Sequence, residues 1–368
     1  MKTELIEVKN GFDGESCWVH ARTAHISGDS FLMTAQKLDI RGSDLFTPIY
    51  TRISNDHGKS WSDFAPERAL DAYTDQHGYQ MVLSNFTPAT HKKTGKIIGT
   101  GTIVPYDTTL DPKVIVFSDQ TLPFDAGYSV YDEKNNAFGP VKILRAKLKD
   151  GREVRINAGC TQRYDLPDGD ILLPVNYDRE YITTVKLAFD GCELIVTDVG
   201  TLISFPEQPR PASEPSLIYC ERSKIFVMTI RTDTQGYFAV SEDGLSFGTP
   251  SEWRWDDGSI LENYNTQQHF VEHDGRLYLV YTRRGAGNDH VFRHRAPLFM
   301  AEIDSDRLVL LRDTEIALTP QRGARLGNFG VTKVSDNETW VVVAEWMQPR
   351  GCEKYGSDNT IFIVRLLW

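Results

Sequence analysis

The chain has little that would carry it into a membrane, a disulfide framework or a nucleic-acid complex. No apolar run approaches the ~20 residues a membrane-spanning helix needs, and Met1 to Val8 lacks the apolar core of a signal peptide. A cytoplasmic protein is therefore expected, or a secreted or periplasmic one whose signal peptide has been removed, with no membrane partner. The 5 cysteines, Cys17, Cys160, Cys192, Cys220 and Cys352, are scattered and form no CxxC pair, which fits a reducing compartment without zinc knuckles. A net charge of -11 argues against nucleic acid, whose phosphates need a basic face. There is no P-loop, no G-x-G-x-x-G after a strand and no HExxH, so no cofactor and no metal is expected. Helix signals are poor, confined to a turn between Trp61 and Tyr73. Nothing speaks to oligomeric state.

What the chain has is strands. Aromatics make up 11% and there are 28 glycines, a mix suited to short strands and tight turns. An apolar run following a polar turn recurs six times: Phe31–Ala35, Lys96–Gly101, Asp170–Pro174, Lys224–Met228, Arg276–Tyr281 and Thr339–Val343. The starts lie 52 to 74 residues apart, a spacing that suits four-stranded units with variable loops. A strand-like segment precedes each run, and a third follows, as in Pro48–Arg52 and Gly236–Val240. The apolar C-terminal run Ile361–Leu367 can pair with Leu5–Val8, which would remove exposed sheet edges.

Two turns after the third strand share a pattern. Ser54-Asn55-Asp56-His57-Gly58-Lys59-Ser60-Trp61 reads S-x-D-x-G-x-x-W, and Ser241-Glu242-Asp243-Gly244-Leu245-Ser246-Phe247 repeats it one residue shorter. Asp closes a turn onto backbone amides, Gly takes φ > 0, and the aromatic plugs the gap between strands; Asp56 is thus read as structural. These turns resemble the Asp-boxes, or BNR repeats, of the sialidase (neuraminidase) superfamily. The resemblance implies an all-β, six-bladed β-propeller of four-stranded antiparallel blades, and the six runs agree. One propeller domain over residues 1–368 is expected.

In such a blade, residues opening the first strand or closing the second converge on a central funnel. This selects His20 and Arg22; Asp39, Arg41 and Asp44; His77; Gln162; Glu214; Arg231 and Asp233; Gln268 and His269; Arg283 to Arg295; and Arg325, Asn328 and Glu345. Within one segment fall Arg283, Arg284, His290, Arg293, His294 and Arg295, flanked by apolar strands and broken by Gly and Asn. That composition predicts an ordered turn over the funnel, suited to bidentate recognition of a carboxylate.

In the sialidases three arginines clamp the substrate carboxylate, a Glu supports a Tyr nucleophile and an Asp is the general acid. By resemblance, Arg22 matches the first arginine, although no R-I-P motif is present. Glu214 with Arg231 matches the Glu and second arginine, and Arg283 or Arg284 matches the third. Leu38 to Asp44 is similar to the family's D-x-R…D segment, making Asp39 or Asp44 the acid. At the nucleophile the resemblance fails: Arg325-Leu326-Gly327-Asn328-Phe329-Gly330 offers Phe329 where the family has Tyr.

Three functions follow. The first is an exo-acting glycoside hydrolase on a carboxylate-bearing sugar, its partner an acidic oligosaccharide or glycoconjugate. Glu214, Asp39 and Asp44 would supply the carboxyls, and Arg22, Arg231, Arg283, Arg284, Arg293, Arg295, Gln162, Gln268, His269 and Asn328 would bind substrate. The second is a polysaccharide lyase, with His290 or His294 as base and Tyr355 or Tyr264 as acid. The third is a non-catalytic glycan-binding propeller, in which Trp253, Trp255 or Trp346 stacks on sugars.

Overall fold

The computed structural model describes residues 1–42, 44–109, 124–147, 151–178 and 180–368. All six apolar runs lie in strands paired on both sides: Ser30–Asp39, Ile97–Tyr106, Ile171–Tyr177, Ile225–Arg231, Arg276–Tyr281 and Glu338–Ala344. Their continuous hydrophobicity has a packing cause. Ile97–Tyr106 and Glu338–Ala344 are buried at every position, because neighbouring sheets cover both faces and leave no polar side. The first strand, Lys2–Lys9, is an edge and alternates exposed with half-buried residues.

These strands build an all-β propeller of antiparallel sheets. Four sheets are discrete: Ser16–Ser27 with its three successors, the four strands from Ser213 to Glu252, the five from His269 to Ala317, and the closing sheet. In the closing sheet Lys2–Lys9 pairs with Ile361–Leu367, setting Leu5 opposite Val364 and Ile6 opposite Ile363.

The repeat count of six separate blades needs correction. Lys142–Lys147 pairs with Glu153–Asn157, setting Arg145 opposite Arg155. That ladder joins what would be the second and third blades into one 12-stranded sheet, leaving four discrete blades. Among the described residues helix is limited to short 3-10 turns, the first being Arg68–Leu70 behind Glu67.

Both Ser-x-Asp turns are closed by side chains. Ser60 N and Oγ donate to the Asp56 carboxylate at 2.8 and 2.6 Å, and Gly58 N donates to Ser54 Oγ at 2.9 Å. Asp243 accepts from Leu245 N and Ser246 N at 2.8 and 2.6 Å. Ser60 holds the Asp56 carboxyl down at about 2. At Gly58, φ is +74° and an added Cβ would lie 2.8 Å from the Trp340 ring, so this turn packs onto the closing sheet as only glycine allows. Among the described residues no helix is long and apolar enough to cross a membrane.

Candidate functional site

The innermost strands carry a repeated irregularity that aims side chains at the axis. Register shifts occur between Val19 and Arg22, between Ser84 and Thr87, and between Ser213 and Ser216. Inside these bulges His20, Asn85 and Glu214 take φ of 54°, 53° and 51°. Left-handed backbone costs an L-residue about 1–2 kcal/mol, and bulges re-aim side chains in return. Cys160, just before Tyr164–Asp165, has φ 57°.

Glu214 and Asn85 thereby reach a cavity of about 620 Å³. Five arginines line it, Arg210, Arg231, Arg293, Arg295 and Arg325, together with two carboxylates, Asp44 and Glu214. Phe46, Val104, Phe124, Phe292 and Trp346 give it apolar walls, while Asn85, Asn157, Thr102 and Asn328 supply neutral polar groups.

The arginines fall into two groups. The first is organised by Asn265. Its Oδ1 accepts from Arg231 Nη2 at 2.9 Å and from Arg295 Nη2 at 3.1 Å, and its Nδ2 donates to Asp233 at 2.9 Å. Asp233 in turn holds Arg210 through two 2.7 Å bonds, and Arg231 pairs with Glu214 at 2.7 Å. The second group surrounds Phe292. The Arg293 and Arg325 guanidiniums lie 4.9 and 5.0 Å from its ring, and Arg325 also sits 4.2 Å over Trp346. Arg325 Nη2 donates to Gln348 at 3.1 Å. Burial lowers Arg325 to about 10 and Arg295 well below the usual arginine range, with neighbouring guanidiniums adding to the effect.

Of the residues read from sequence, Asp44, Glu214, Arg231, Arg293, Arg295, Arg325 and Asn328 line this cavity. The others lie elsewhere. Arg22 is buried on the axis, donating to Phe86 O at 3.0 Å, Cys160 Sγ at 2.9 Å and Gln267 Oε1 at 3.2 Å. Asp39 is engaged by Arg41 Nε at 3.0 Å, at the end of its strand. Arg283 pairs with Glu315 at 2.6 Å under Phe299, and Arg284 covers the Tyr264 ring at 3.8 Å. Gln162 clasps the Phe270 backbone at 2.9 and 2.7 Å, and Gln268 accepts from Thr229.

None of the histidines read from sequence lines the cavity; each is engaged in packing or hydrogen bonds. His290 is exposed and packs on Tyr355 at 4.4 Å, while His294 Nδ1 meets Tyr264 Oη at 2.6 Å. His269 is buried between Ser216 Oγ at 2.7 Å and Gln267 Nε2 at 2.6 Å. His20 lies behind Asn328, whose Nδ2 reaches its Nε2 at 2.9 Å. Burial, with Arg22 nearby, lowers both His20 and His269 to about 3. No tyrosine lines the cavity among the described residues, and Phe329 is fully buried.

Two functional candidates escape the strand-opening rule. Arg210 lies in the Pro-rich stretch Phe205 to Pro211, which has no periodicity to place it. Asn265 follows Tyr264 and gives no charge signal, although its φ of 52° marks a shaped turn. Among the described residues no group of three His, Cys, Asp or Glu side chains is arranged to hold a metal ion.

No protein-family model matches this chain, and no curated protein sequence does. Solved structures do resemble it. A Dyadobacter fermentans protein of unknown function superposes with a TM-score of 0.67 at 14% identity, over 100% of this chain and 99% of that one. The NanB sialidase of Streptococcus pneumoniae gives a TM-score of 0.66 at 12% identity, over 98% of this chain and 70% of that one. A Trypanosoma rangeli sialidase gives 0.62 at 13% identity, over 99% of this chain and 59% of that one. At such identities the likeness establishes the fold alone: an all-β propeller of antiparallel four-stranded sheets, like that of these sialidases.

Proposed function

We propose that the cavity takes the terminal, carboxylate-bearing sugar of an acidic oligosaccharide or glycoconjugate, and that the chain hydrolyses its glycosidic bond. The observation that carries this reading is the wall itself: five arginines and two carboxylates around about 620 Å³, a size within the ~300–1,000 Å³ range of small-molecule sites. Planar guanidiniums match a carboxylate bidentately. Arg231 and Arg295, ordered by the shared Asn265, suit that task.

Hydrolysis needs one carboxyl to protonate the leaving oxygen and a second to act as base or nucleophile. Glu214, in its ion pair with Arg231, suits the second role, and Asp44 the first. This departs from the sialidase pattern, since no described tyrosine lines the cavity. Elimination finds less support, because His290 and His294 are not part of the wall.

A second reading is a glycan-binding propeller without turnover. It is favoured by the same Glu214–Arg231 pair, which already engages the carboxylate. Product masses after incubation with sialylated and uronate-containing oligosaccharides test these readings. Products that sum to the substrate plus one water support hydrolysis; products that sum to the substrate mass, one carrying an unsaturated uronate, overturn it for elimination. No cleavage, with binding retained, favours the binding module.

A further inference from the structure

We propose that the cavity holds a second anion subsite, formed by Arg293 and Arg325 on the Phe292 side, so that the preferred ligand carries two acidic groups. This rests on the reading of the cavity as a site for an acidic sugar and specifies which acidic sugars it takes.

Charge balance is the starting point. In the Asn265 group, Arg231 is matched by Glu214 and Arg210 by Asp233. Among the described residues, Arg293, Arg295 and Arg325 have no ion pair. Asp44 is the one wall carboxylate whose field favours the charged forms of both Arg293 and Arg325. Five wall guanidiniums against Asp44, Glu214 and, behind Arg210, Asp233 leave an excess of positive charge that a single sugar carboxylate would not balance.

Geometry separates the excess into two places. Arg295 shares Asn265 with Arg231, so it belongs with the first carboxylate's partners. Arg293 and Arg325 share Phe292 instead. Arg325 is held between Trp346 and Phe292 with one bond to Gln348, and its Nε is buried with no hydrogen-bond partner among the described residues. A buried donor left unpaired is expensive. Backbone strain contributes as well: Arg293 and His294 are both left-handed, at φ 57° and 52°, and this turn brings Arg293 and Arg295 to the same cavity. Two guanidiniums fixed beside an exposed aromatic ring suit a sulfate ester or a second carboxylate on an adjoining sugar.

The test is calorimetric binding of three probes to the intact chain. Methyl glucuronide carries one carboxylate, digalacturonate carries two, and a sulfated uronate disaccharide carries a carboxylate and a sulfate. The dianions should bind roughly 10- to 100-fold more tightly than the monoanion, the gain of one charge-assisted contact. Preference for the sulfated probe identifies a sulfate subsite, and preference for digalacturonate a carboxylate one. Arg325→Gln and, separately, Arg293→Gln should remove most of that preference. Arg293 is the less buried of the two, so its variant serves if Arg325→Gln fails to fold. Equal affinity for one and two charges, or a preference that survives Arg293→Gln, overturns the second subsite. No binding of any probe overturns the acidic-sugar reading and the subsite with it.

Discussion

The two axial histidines make stability depend on pH in a calculable way. Gln36 Nε2 donates to Thr47 O and Leu83 O, so its Oε1 faces His20 Nδ1 at 3.2 Å. Asn328 Nδ2 donates to the other ring nitrogen. In the same way Gln267 Oε1 accepts from Arg22, which turns its Nε2 toward His269. Each ring is thus a neutral tautomer with Nδ1–H donating, and protonation would set N–H against N–H beside a buried arginine. Both are lowered from 6.5 to about 3.

A depressed histidine pKa means that the unfolded chain binds the extra proton first. Stability is therefore fully present above pH 6.5 and falls as pH drops from 6.5 towards 3. At pH 5 the gap from 6.5 corresponds to about 2 kcal/mol per histidine, at 1.36 kcal/mol per pH unit. The assay is urea unfolding of wild type and His269→Gln at pH 7.5 and pH 5. The variant's deficit relative to wild type should shrink by about 2 kcal/mol at pH 5. A deficit independent of pH would refute the buried, neutral assignment.

Other outcomes follow from single contacts. Gly327→Ala would set a Cβ 2.7 Å from Arg295 Cδ and 2.4 Å from Thr266 Oγ1; the displaced arginine should weaken acidic-sugar binding by ~10-fold, one charge-assisted contact, measured by calorimetry. Arg283→Met breaks the pair with Glu315, to which Tyr281 Oη also donates at 2.6 Å. It should lower unfolding stability by about 2–3 kcal/mol, the scale of its lost charge-assisted hydrogen bonds, while leaving ligand affinity unchanged. His290→Ala should leave turnover intact, whereas a loss of ~100-fold or more, the scale of a missing general base, would restore elimination.

The repeating strands were legible because burial on both faces writes itself as an apolar run, as at Thr339–Val343. The fusion of two blades was not, since it depends on one edge pairing, Lys142–Lys147 with Glu153–Asn157, that apolar pattern does not encode. Within Arg283 to Arg295 the sequence shows charge but not its destination. Arg283 is drawn to Glu315 and the aromatic rings, while the left-handed turn at Arg293 and His294 sends Arg293 and Arg295 to the cavity. Arg22 reads in the sequence as opening its strand like a ligand-binding arginine, yet it lies mid-strand in Ser16–Ser27, and packing closes Phe86 O, Cys160 and Gln267 around it. Glu214 was legible through its position and its resemblance, with Arg231, to the sialidase pair, but its bulge was not, and Arg210 has no sequence signature at all.

The most direct measurement compares wild type with Glu214→Gln on the acidic glycoside that the product screen identifies. Hydrolysis by the carboxyl pair predicts a fall in kcat of ~100-fold or more, with ligand still binding and the unfolding midpoint held. Turnover unchanged by Glu214→Gln would contradict the account and move the chemistry out of this cavity.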